Sequence, residues 1–444
     1  MYRLGLTGLA IFKQLPKKNC KECGVATCMA FAMALAAGKA SLDACPYVTD
    51  EAKEALDSAS APPIKTVKVG VGEKEVVLGD ETVLFRHDKT FFHPTGMGFV
   101  VADNDAELDA KIANIADLQF DRVGQHYEVE FVTVENASGD AATFAAAAEK
   151  AAAKKAVILK ADDTAALEAA LEKIAAEKPL VYAATADNYE AVTELAKKFE
   201  VPMAVKADGL EALEELVNKI VALGYKELVL DPGSRQTAKV IADMTQIRRL
   251  AVKKTFRPFG YPTIAFTTDE DPMAEAMQAV AYVAKYASIV VMKNAVKGFV
   301  LPILSWRQNV FTDPQKPVAV QAKLMEIGAV TPDSPVYVTT NFSLSYYSVE
   351  GEVEASRIPS YIIPIDTDGT SVLTAWAAGK FGGEQIAAAI KEYDLDNKLN
   401  HKDIIIPGFV AVIAAKLKDE SGWNVIVGPK EASGISGFAK ANFA

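Results

Sequence analysis

All four cysteines of this 444-residue chain lie within its first 45 residues. Three fall in the stretch LPKKNCKECGVATCMAF and the fourth precedes a proline, so the spacing is C-x2-C-x4-C-x16-C through Cys20, Cys23, Cys28 and Cys45. Clustered thiols in a chain without a secretory signal indicate metal or redox chemistry rather than disulfides. The N-terminal segment is therefore restricted to a small module that is rich in thiolates.

The spacing favours an iron–sulfur cluster over the alternatives. A cubane cluster takes thiolates from several directions, which a tight loop and a returning segment supply together. Gly24 frees the loop backbone, and Thr27 is a candidate N-cap for a helix that begins with Cys28 and continues toward Gly38. Structural zinc, whose sites more often use two paired C-x2-C knuckles, and four independent buried cysteines are the alternatives. We predict a 4Fe-4S cluster in residues 1–57.

Charge and hydropathy argue against two classes of partner. The chain carries a net charge of −11 at neutral pH with a pI near 5.1, which argues against nucleic acid. No apolar run approaches the roughly 18 residues that a membrane span needs, and the apolar N-terminus lacks a small-residue cleavage site. We therefore expect a cytoplasmic protein that binds neither nucleic acid nor membrane.

After a linker that contains Pro62 and Pro63, apolar β-runs alternate with alanine-rich amphipathic segments. Eight such runs predict parallel strands covered by helices, which is the pattern of a (β/α)8 TIM-type barrel. The predicted strands are TVLF near Thr82, EVEFVTV near Glu128, AVILKA from Ala156, LVYAAT from Leu180, PMAVKA from Pro202, ELVLDPG from Glu227, TIAFTT from Thr263 and SIVVMKN from Ser288. We assign residues 58–93 to the linker and 94–320 to the barrel.

Barrels of this type carry function at the carboxyl ends of their strands. In this chain those ends contain Lys206, Asp208, Asp231, Lys293 and Asn294. Asp231 has two interpretations, a ligand-orienting carboxylate or a turn aspartate that caps the next helix, and turn chemistry is the commoner role. Because the sequence contains no paired catalytic carboxylates, phosphate loop or histidine-rich metal set, we assign no catalytic residue.

The segment 325–444 differs in character, because its strands lead into loops rich in Gly, Ser and Thr. The strands VYVTTN, YIIPID, IIIPG and NVIVGP predict an open, Rossmann-like α/β domain. Ligands of such sheets bind outside the carboxyl ends of the strands, where these loops offer hydroxyls and backbone amides to a large, amide-fringed ligand. Ordinary turn chemistry is the alternative.

The order of these parts resembles a known family. A CxxCGxxxC module with a later Cys-Pro, a barrel, and a domain with TTNFSLSYY and DTDGTSVLTAWAAGKF are similar to the large (gamma) subunits of corrinoid iron–sulfur proteins. These proteins belong to the anaerobic acetyl-CoA (Wood–Ljungdahl) pathway. The similarity extends over essentially the whole chain.

The resemblance implies two cofactors and the residues that bind them. The four cysteines would ligate the 4Fe-4S cluster, and the C-terminal domain, residues 325–444, would bind a cobamide. The residues expected to face the corrin are Thr339, Thr340, Asn341, Ser345, Gly369, Thr370, Ser371, Val372, Leu373, Ser433, Gly434 and Ile435.

The resemblance also implies the function of a methyl carrier. The cobamide Co(I) accepts a methyl group from methyltetrahydrofolate through a separate methyltransferase and passes it to CO dehydrogenase/acetyl-CoA synthase, while the cluster reduces Co(II) back to Co(I). Further expected partners are a small corrinoid iron–sulfur protein subunit, in a heterodimer, and an electron donor such as ferredoxin. The alternatives are a self-contained pterin-dependent corrinoid methyltransferase and an electron-transfer iron–sulfur subunit without corrinoid.

The histidines bear on the lower axial position of cobalt. Many cobamide proteins supply a histidine from a D-x-H-x-x-G motif, and none of the four histidines here lies in one. His401, in LNHKD, is nearest to the predicted site but has Leu399 in place of the aspartate. We expect a base-off cobamide without a protein nitrogen ligand, because Co(I) disfavours a strong axial donor. A hinge near Asp313–Pro317 is expected to free the corrinoid domain.

Overall fold

The computed structural model describes residues 8–36, 40, 42–49, 62–314 and 317–444. Contacts divide the chain into two compact units. The first contains residues up to 84 with 92–112 and 130–294, and the second contains 85–91, 113–129 and 295–444. Positions 315 and 316 of the predicted hinge lie outside the described residues, as do residues 50–61, where the predicted module meets the predicted linker. The predicted domain boundaries stay predictions.

The cysteine module contains two short helices, α1 (Gly8–Gln14) and α2 (Cys28–Ala36). The Thr27 hydroxyl accepts a hydrogen bond from the Ala30 N–H at 3.1 Å, so Thr27 caps α2 as predicted. The predicted helix end at Gly38 lies outside the described residues. The buried core of the module consists of Ile11, Leu15, Cys28, Phe31, Ala32, Cys45 and Val48. Two of the four thiols are thus part of an apolar core.

The first unit contains a closed barrel of eight parallel strands, as predicted. In chain order the strands are β1 (Val67–Val69), β2 (Val76–Leu78), β3 (Gly96–Ala102), β4 (Gln119–Arg122), β5 (Gln125–Glu128), β6 (Phe131–Glu135), β7 (Ala156–Lys160), β8 (Leu180–Ala184), β9 (Met203–Lys206), β10 (Leu228–Asp231), β11 (Ile264–Phe266) and β12 (Ile289–Met292). The pairs β1–β2 and β4–β5 are separate antiparallel hairpins, the second of which belongs to the second unit. The other eight strands form the barrel in the order β10-β9-β8-β7-β6-β3-β12-β11, and a parallel bridge between Leu230 and Thr263 closes the ring.

One of the predicted barrel strands is wrong. Residues 82–85, TVLF, form no strand, and the first barrel strand is instead β3, with the sequence GMGFVVA. Its glycines obscure the strand pattern, because glycine is depleted in strands. A Cβ atom at Gly98 would lie 2.6 Å from the Phe131 Cβ, and one at Gly96 would clash with the Phe131 ring. Both glycines therefore make room for the buried Phe131 on β6.

Amphipathic helices follow the barrel strands. They are α3 (Leu108–Ala116), α4 (Ala141–Ala152), α5 (Thr164–Ile174), α6 (Tyr189–Phe199), α7 (Leu210–Ala222), α8 (Thr237–Lys254), α9 (Pro272–Ala284) and α10 (Lys297–Phe311), the last of which belongs to the second unit. Aspartate side chains cap three of them: Asp140 caps α4, Asp163 caps α5 and Asp271 caps α9. Local caps thus define where these helices begin.

The C-terminal domain is built on an open sheet of five strands. These are β13 (Met325–Ile327), β14 (Val336–Thr340), β15 (Ser360–Ile365), β16 (Asp403–Ile406) and β17 (Asn424–Val427). Their order is β13-β15-β14-β16-β17, with only β13 antiparallel to its neighbour. The chain passes from β14 to β15 on one side and then to β16 on the other, so the strand order reverses between β14 and β16. Open α/β sheets bind their ligands at such a switch point.

Helices and short turns complete this domain. The helices are α11 (Ser343–Ser356), α12 (Val372–Ala377), α13 (Gly383–Glu392), α14 (Leu395–Lys398), α15 (Ala414–Ser421) and α16 (Ile435–Phe443). Alternate residues of β14 belong to two different cores, since Val338 packs with Trp423 whereas Tyr337 packs with Tyr346. No helix in the described part of the chain combines the length and apolar character needed to cross a membrane.

Candidate cluster module and cofactor cavity

The four cysteines occupy two different environments within the module. Cys28 and Cys45 are buried, whereas Cys20 and Cys23 are half-buried on the loop before α2. Cys28 is the first residue of α2, where the partial positive charge of the helix N-terminus favours a thiolate. The module therefore has one side covered by its core and one side that the cysteine loop exposes.

The backbone of the cysteine loop is tightly turned. Lys17, Asn19, Lys21 and Gly24 all have positive φ angles, of 56°, 48°, 69° and 77°. The Asn19 N–H donates to the Cys28 sulfur at 3.3 Å, and the Cys28 N–H donates to the Asn19 Oδ1 at 2.8 Å. Asn19 is a functional candidate that the sequence analysis missed. The sequence feature that could have identified it is an asparagine directly before the first cysteine, because asparagine tolerates positive φ better than most residues.

Tyr47 links the two ends of the module. Its hydroxyl donates to Glu22 at 2.8 Å, and this hydrogen bond, together with the negative charge of the Glu22 carboxylate, raises the pKa of Tyr47. No three His, Cys, Asp or Glu side chains within the described ranges stand close enough together to bind one metal ion. The module thus brings four thiols into one small domain without arranging three of them around a common point. Its fit to a cluster rests on the donor type, the apolar core and the turned loop.

A cavity of about 320 Å³ opens in the C-terminal domain at the switch point of the sheet. Its walls come from the carboxyl ends of β14 and β16, from the first turns of α11, and from the segment 428–435. Five of the residues predicted to face the corrin line it: Thr339, Ser345, Ser371, Val372 and Ile435. The loops after β14, β15, β16 and β17 were expected at one edge of the sheet. The structure brings residues from each of these four loops together around the cavity.

The other predicted corrin-facing residues do not line the cavity. They are Thr340, Asn341, Gly369, Thr370, Leu373, Ser433 and Gly434. Asn341 instead supports the loop after β15, because its Oδ1 accepts the N–H groups of Thr367 and Gly369 at 3.0 Å each. Its amide nitrogen donates to Asp366 at 2.9 Å. Asn341 is therefore a positioning residue for the loop that contributes Ser371 and Val372.

Tyr337 is the cavity residue that the sequence analysis missed. It lies on β14, its side chain is only 3% exposed, and it lines the cavity. Its hydroxyl has no hydrogen-bond partner among the residues the structure describes, and burial raises the pKa of Tyr337 to about 12. A buried hydroxyl without a partner costs free energy, so it suggests a ligand that supplies the acceptor. The available signal was a tyrosine inside the apolar run VYVTT.

Exposed apolar side chains surround this edge of the sheet. Leu344 follows β14, Leu373 and Trp376 follow β15, and Phe409 and Val412 follow β16, all of them 43–71% exposed. Because the carboxyl ends of parallel strands meet at one edge, these residues lie on the same side of the domain as the cavity. We call these five residues the apolar rim. Several large exposed hydrophobic residues at one edge are typical of a ligand or partner surface.

The strand ends of the barrel are engaged in internal contacts. Asp231 is 1% exposed and its Oδ1 accepts the Gly233 N–H at 2.9 Å, so it belongs to a turn as expected. It does not cap the next helix, α8, whose N-cap residue is Gln236. Arg235 donates to both carboxylate oxygens of Asp231 at 3.0 and 2.8 Å, and the Tyr182 hydroxyl donates to Asp231 at 2.5 Å. The backbone N–H groups of Lys293 and Asn294 donate to the fully buried Glu275. This end of the barrel is thus stabilised by buried carboxylates, of which the sequence analysis missed Glu275.

Both ring nitrogens of His401 bind backbone groups. Nδ1 accepts the Asp403 N–H at 3.1 Å, and Nε2 lies 3.0 Å from the Ser334 carbonyl oxygen, to which it donates. Both nitrogens are therefore used within the domain. The expectation that His401 is not a metal ligand stays a prediction.

Family comparisons agree with the two sites. Residues 15–47 match a family model described as a putative Fe-S cluster, and residues 66–439 match one described as the CO dehydrogenase/acetyl-CoA synthase delta subunit. The corrinoid/iron-sulfur protein large subunit of Moorella thermoacetica is 60% identical over 443 residues, which cover 99% of each chain. The chain belongs to the corrinoid/iron–sulfur large-subunit family. The predicted family is thereby confirmed.

Relatives in archaea extend this family. The acetyl-CoA decarbonylase/synthase complex subunit gamma of Methanothermobacter thermautotrophicus is 34% identical over 446 residues, with 97% of each chain covered. The delta-subunit model starts at residue 66, after the cysteine module, whereas the large and gamma subunits match along the module as well. Among solved structures, a dihydropteroate synthase from Thermus thermophilus has a TM-score of 0.39 at 12% identity, over 55% of this chain and 98% of that chain.

Proposed function

We propose that this chain is the methyl-carrying large subunit of a corrinoid/iron–sulfur protein. It receives a methyl group from methyltetrahydrofolate by way of a separate methyltransferase and delivers it to CO dehydrogenase/acetyl-CoA synthase. One observation carries the proposal: a four-cysteine module and a switch-point cavity occur together in a chain that is 60% identical to the Moorella large subunit. The module would serve reduction and the cavity would serve cofactor binding.

The module would hold a 4Fe-4S cluster through Cys20, Cys23, Cys28 and Cys45. Such a cluster supplies one-electron reduction at low potential. The apolar core around Cys28 and Cys45 lowers the local dielectric, and the Asn19 N–H donates to the Cys28 sulfur. Both features belong to those by which a protein sets the potential of a cluster.

The cavity would hold part of a cobamide. When bound, this cofactor supplies a cobalt centre that accepts and gives up a methyl group. The volume of about 320 Å³ is at the lower end of the roughly 300–1,000 Å³ of ligand pockets, so a side group such as the lower base suits the cavity better than the macrocycle does. The Tyr337 hydroxyl would donate to an acceptor on that group, while Thr339 and Ser345 would orient it.

One feature of the domain supports the base-off state, and the proposed placement of the lower base is consistent with it. A lower base held between β14, β16 and α11 would be withheld from the metal. His401 does not replace it, because backbone groups of Ser334 and Asp403 bind both of its ring nitrogens. The chain would therefore leave the lower axial position without a protein nitrogen.

The apolar rim supports a set of partners. Side chains such as Leu373, Trp376 and Phe409 would be covered by the macrocycle and by a small corrinoid/iron–sulfur subunit in a stable heterodimer. The methyltransferase and acetyl-CoA synthase would approach the same cofactor in turn, and a carrier such as ferredoxin would supply electrons to the cluster.

Anaerobic purification followed by metal analysis and UV–visible spectroscopy tests the proposal. We expect about four iron, about four sulfide and about one cobalt per chain, with corrin bands. Methyl transfer from methyltetrahydrofolate should require the added methyltransferase. Corrin-dependent demethylation without that enzyme would instead identify a self-contained pterin-dependent methyltransferase, and an iron–sulfur spectrum without corrin bands would identify an electron-transfer subunit.

Removal of residues 1–57 is the matched control for the cluster. The shortened chain should keep its corrin bands and accept a methyl group after chemical reduction. It should fail to recover from oxidation when ferredoxin is the only reductant. Normal recovery with ferredoxin would show that the cluster is not the electron relay.

A further inference from the structure

The cysteine module has a charge opposite to that of the remaining chain. The predicted module, residues 1–57, contains seven Lys and Arg against six Asp and Glu, a net charge of +1, whereas the whole chain carries −11 and the remainder therefore −12. Three of the seven cations, Lys17, Lys18 and Lys21, lie within four residues of Cys20 on either side. The positive charge of the module is thus concentrated at its cysteine loop.

The burial pattern shows which side of the module is accessible. The core of the module covers Cys28 and Cys45, while Cys20 and Cys23 are half-buried on a loop whose lysines are exposed. A cluster bound by these four thiols would therefore approach the surface at residues 17–24. Electrons from another protein would enter on that side, because transfer requires a short path between the two centres.

Aromatic rings hold two of the three lysines in place. The Lys18 Nζ lies 3.9 Å from the centre of the Tyr47 ring, and the Lys17 Nζ lies 5.7 Å from that of Phe12. The carboxylate of Glu22, in the same loop, accepts the hydrogen bond of the Tyr47 hydroxyl. The loop therefore presents a positive surface beside an exposed aromatic residue, Tyr47. Such amphipathic aromatic residues are enriched at protein interfaces.

We propose that Lys17, Lys18 and Lys21, which we call the basic rim, dock a small acidic one-electron carrier protein. The inference rests on the proposed role of the cluster as an electron relay. It adds the surface of this chain at which the electron donor docks and the charge of that donor. One electron passes from the reduced centre of the carrier, which is oxidised, to the cluster, which is reduced, without proton transfer. The basic rim attracts the acidic carrier and directs it away from the remaining chain, whose net charge is −12.

Stopped-flow measurement on the complete heterodimer with both cofactors tests this proposal. The donor is a reduced, acidic two-cluster ferredoxin, and the readout is the second-order rate constant of cluster reduction. We expect the K17E/K18E/K21E variant to lose about tenfold to a thousandfold in this rate constant at low salt. Reduction by methyl viologen radical, a small cation, should not become slower in the same variant.

The K253E/K254E/K285E variant is the matched control, because it makes the same change in total charge at three exposed lysines, two in the last turn of α8 and one directly after α9. Its rate constant with ferredoxin should equal that of the wild type. An equal loss in both variants would show that only the total charge matters and would overturn the docking surface. An unchanged rate constant in the basic-rim variant would overturn it as well.

Two further measurements keep the test decisive. If the basic-rim variant does not assemble its cluster, the salt dependence of the wild-type rate constant decides. This rate constant should fall about tenfold or more toward about 1 M salt, where the Debye length is about 3 Å, and a rate constant that does not change with salt overturns the proposal.

A redox titration separates docking from simple charge compensation, because lysines that only offset an anionic cluster would change its potential but not the salt dependence of the rate constant. If ferredoxin reduces the cluster but cobalt is not reactivated, the relay fails while the docking surface stands.

Discussion

Asn19 and Cys28 bind each other through two hydrogen bonds that cross the cysteine loop. The Asn19 N–H donates to the Cys28 sulfur at 3.3 Å, and the Cys28 N–H donates to the Asn19 side-chain oxygen at 2.8 Å. The first bond would stabilise negative charge on the Cys28 sulfur, and the second fixes the start of α2. Asn19, which lies between Lys18 and Cys20, thus influences the electrostatic environment of the third cysteine, Cys28.

We predict that Asn19→Ala lowers the reduction potential of the cluster. Alanine cannot accept the Cys28 N–H and disfavours the φ of 48° found at this position, so the N–H bond to the sulfur is lost or lengthened. Fewer hydrogen bonds to sulfur make the more negative, reduced cluster less stable. An EPR-monitored redox titration measures the shift. Asn19→Gly, which keeps the backbone conformation, should shift the potential less, and equal shifts would contradict the role of the backbone bond.

Tyr337→Phe should have opposite effects on the free and the cofactor-loaded protein. Removing a buried hydroxyl without a partner stabilises the apoprotein by about 1 kcal/mol, while losing the hydrogen bond to the ligand weakens cobamide binding by about three- to tenfold. Denaturation of the apoprotein and equilibrium binding measure the two effects. Tyr346→Phe is the control, because the Tyr346 hydroxyl already donates to Glu350 at 2.8 Å and its loss should destabilise the apoprotein. A destabilised Tyr337→Phe apoprotein would contradict the assignment.

Tyr337 also predicts a pH dependence on the alkaline side. Burial raises the pKa of Tyr337 to about 12, above its ordinary value of 10.0, so folding favours the protonated phenol. The ionisation of Tyr337 therefore leaves the free energy of unfolding unchanged below pH 10 and lowers it as the pH rises from 10 to 12, by up to about 2.7 kcal/mol. Denaturant unfolding at a series of pH values measures the loss. The free energy of unfolding of Tyr337→Phe should fall less over this interval, and parallel curves would refute the prediction.

Asp231→Asn should destabilise the barrel by about 3–5 kcal/mol. Asp231 is 1% exposed and binds both Arg235 and Tyr182, so removal of its charge leaves the guanidinium poorly compensated. The exposed Asp208, at the end of the neighbouring strand, provides the control, since Asp208→Asn should change the free energy of unfolding by less than about 0.5 kcal/mol. Chemical denaturation compares the two variants. Where Asp231→Asn is still folded, cobamide content should be normal, because we assign Asp231 a structural role.

Gly98→Ala should cost about 1–3 kcal/mol, because its Cβ would lie 2.6 Å from the Phe131 Cβ on the adjacent strand. Gly298→Ala introduces the same methyl group in α10, where no atom lies within 4 Å, and should be neutral or stabilising. Phe131→Leu should not relieve this clash, because leucine keeps the Cβ atom. A Cβ at position 96 would instead clash with the Phe131 ring, so the combination of Gly96→Ala with Phe131→Leu should recover part of the stability that Gly96→Ala loses. Additive effects of these two changes would show that Phe131 is not the reason for the glycine.

Local patterns determined much of the architecture. The cysteine spacing, the Thr27 cap, the turn at Asp231 and the alternation of strands and helices were all readable from the sequence, because each depends on residues close together in the chain. The edge of the C-terminal sheet that carries the cavity was also predictable, since parallel strands bring their carboxyl ends together. Thr339, Ser345 and Ile435, which were expected at this edge, line the cavity, and their contact with a corrin stays a prediction.

Other features depended on residues that are distant in sequence. Gly96 and Gly98 concealed a strand because their purpose is the fit of Phe131, a partner that only the paired sheet supplies. Asn341 was expected at the ligand but supports the neighbouring loop, and Tyr337 lines the cavity with a hydroxyl that lacks a partner in the described structure. The sequence by itself determined which segments form strands, helices and a thiolate module, since periodicity and spacing are properties of the chain. Only the tertiary structure decided which polar groups pair with one another and which remain for a ligand, because hydrogen bonding in the interior depends on what the folded chain brings within 3 Å.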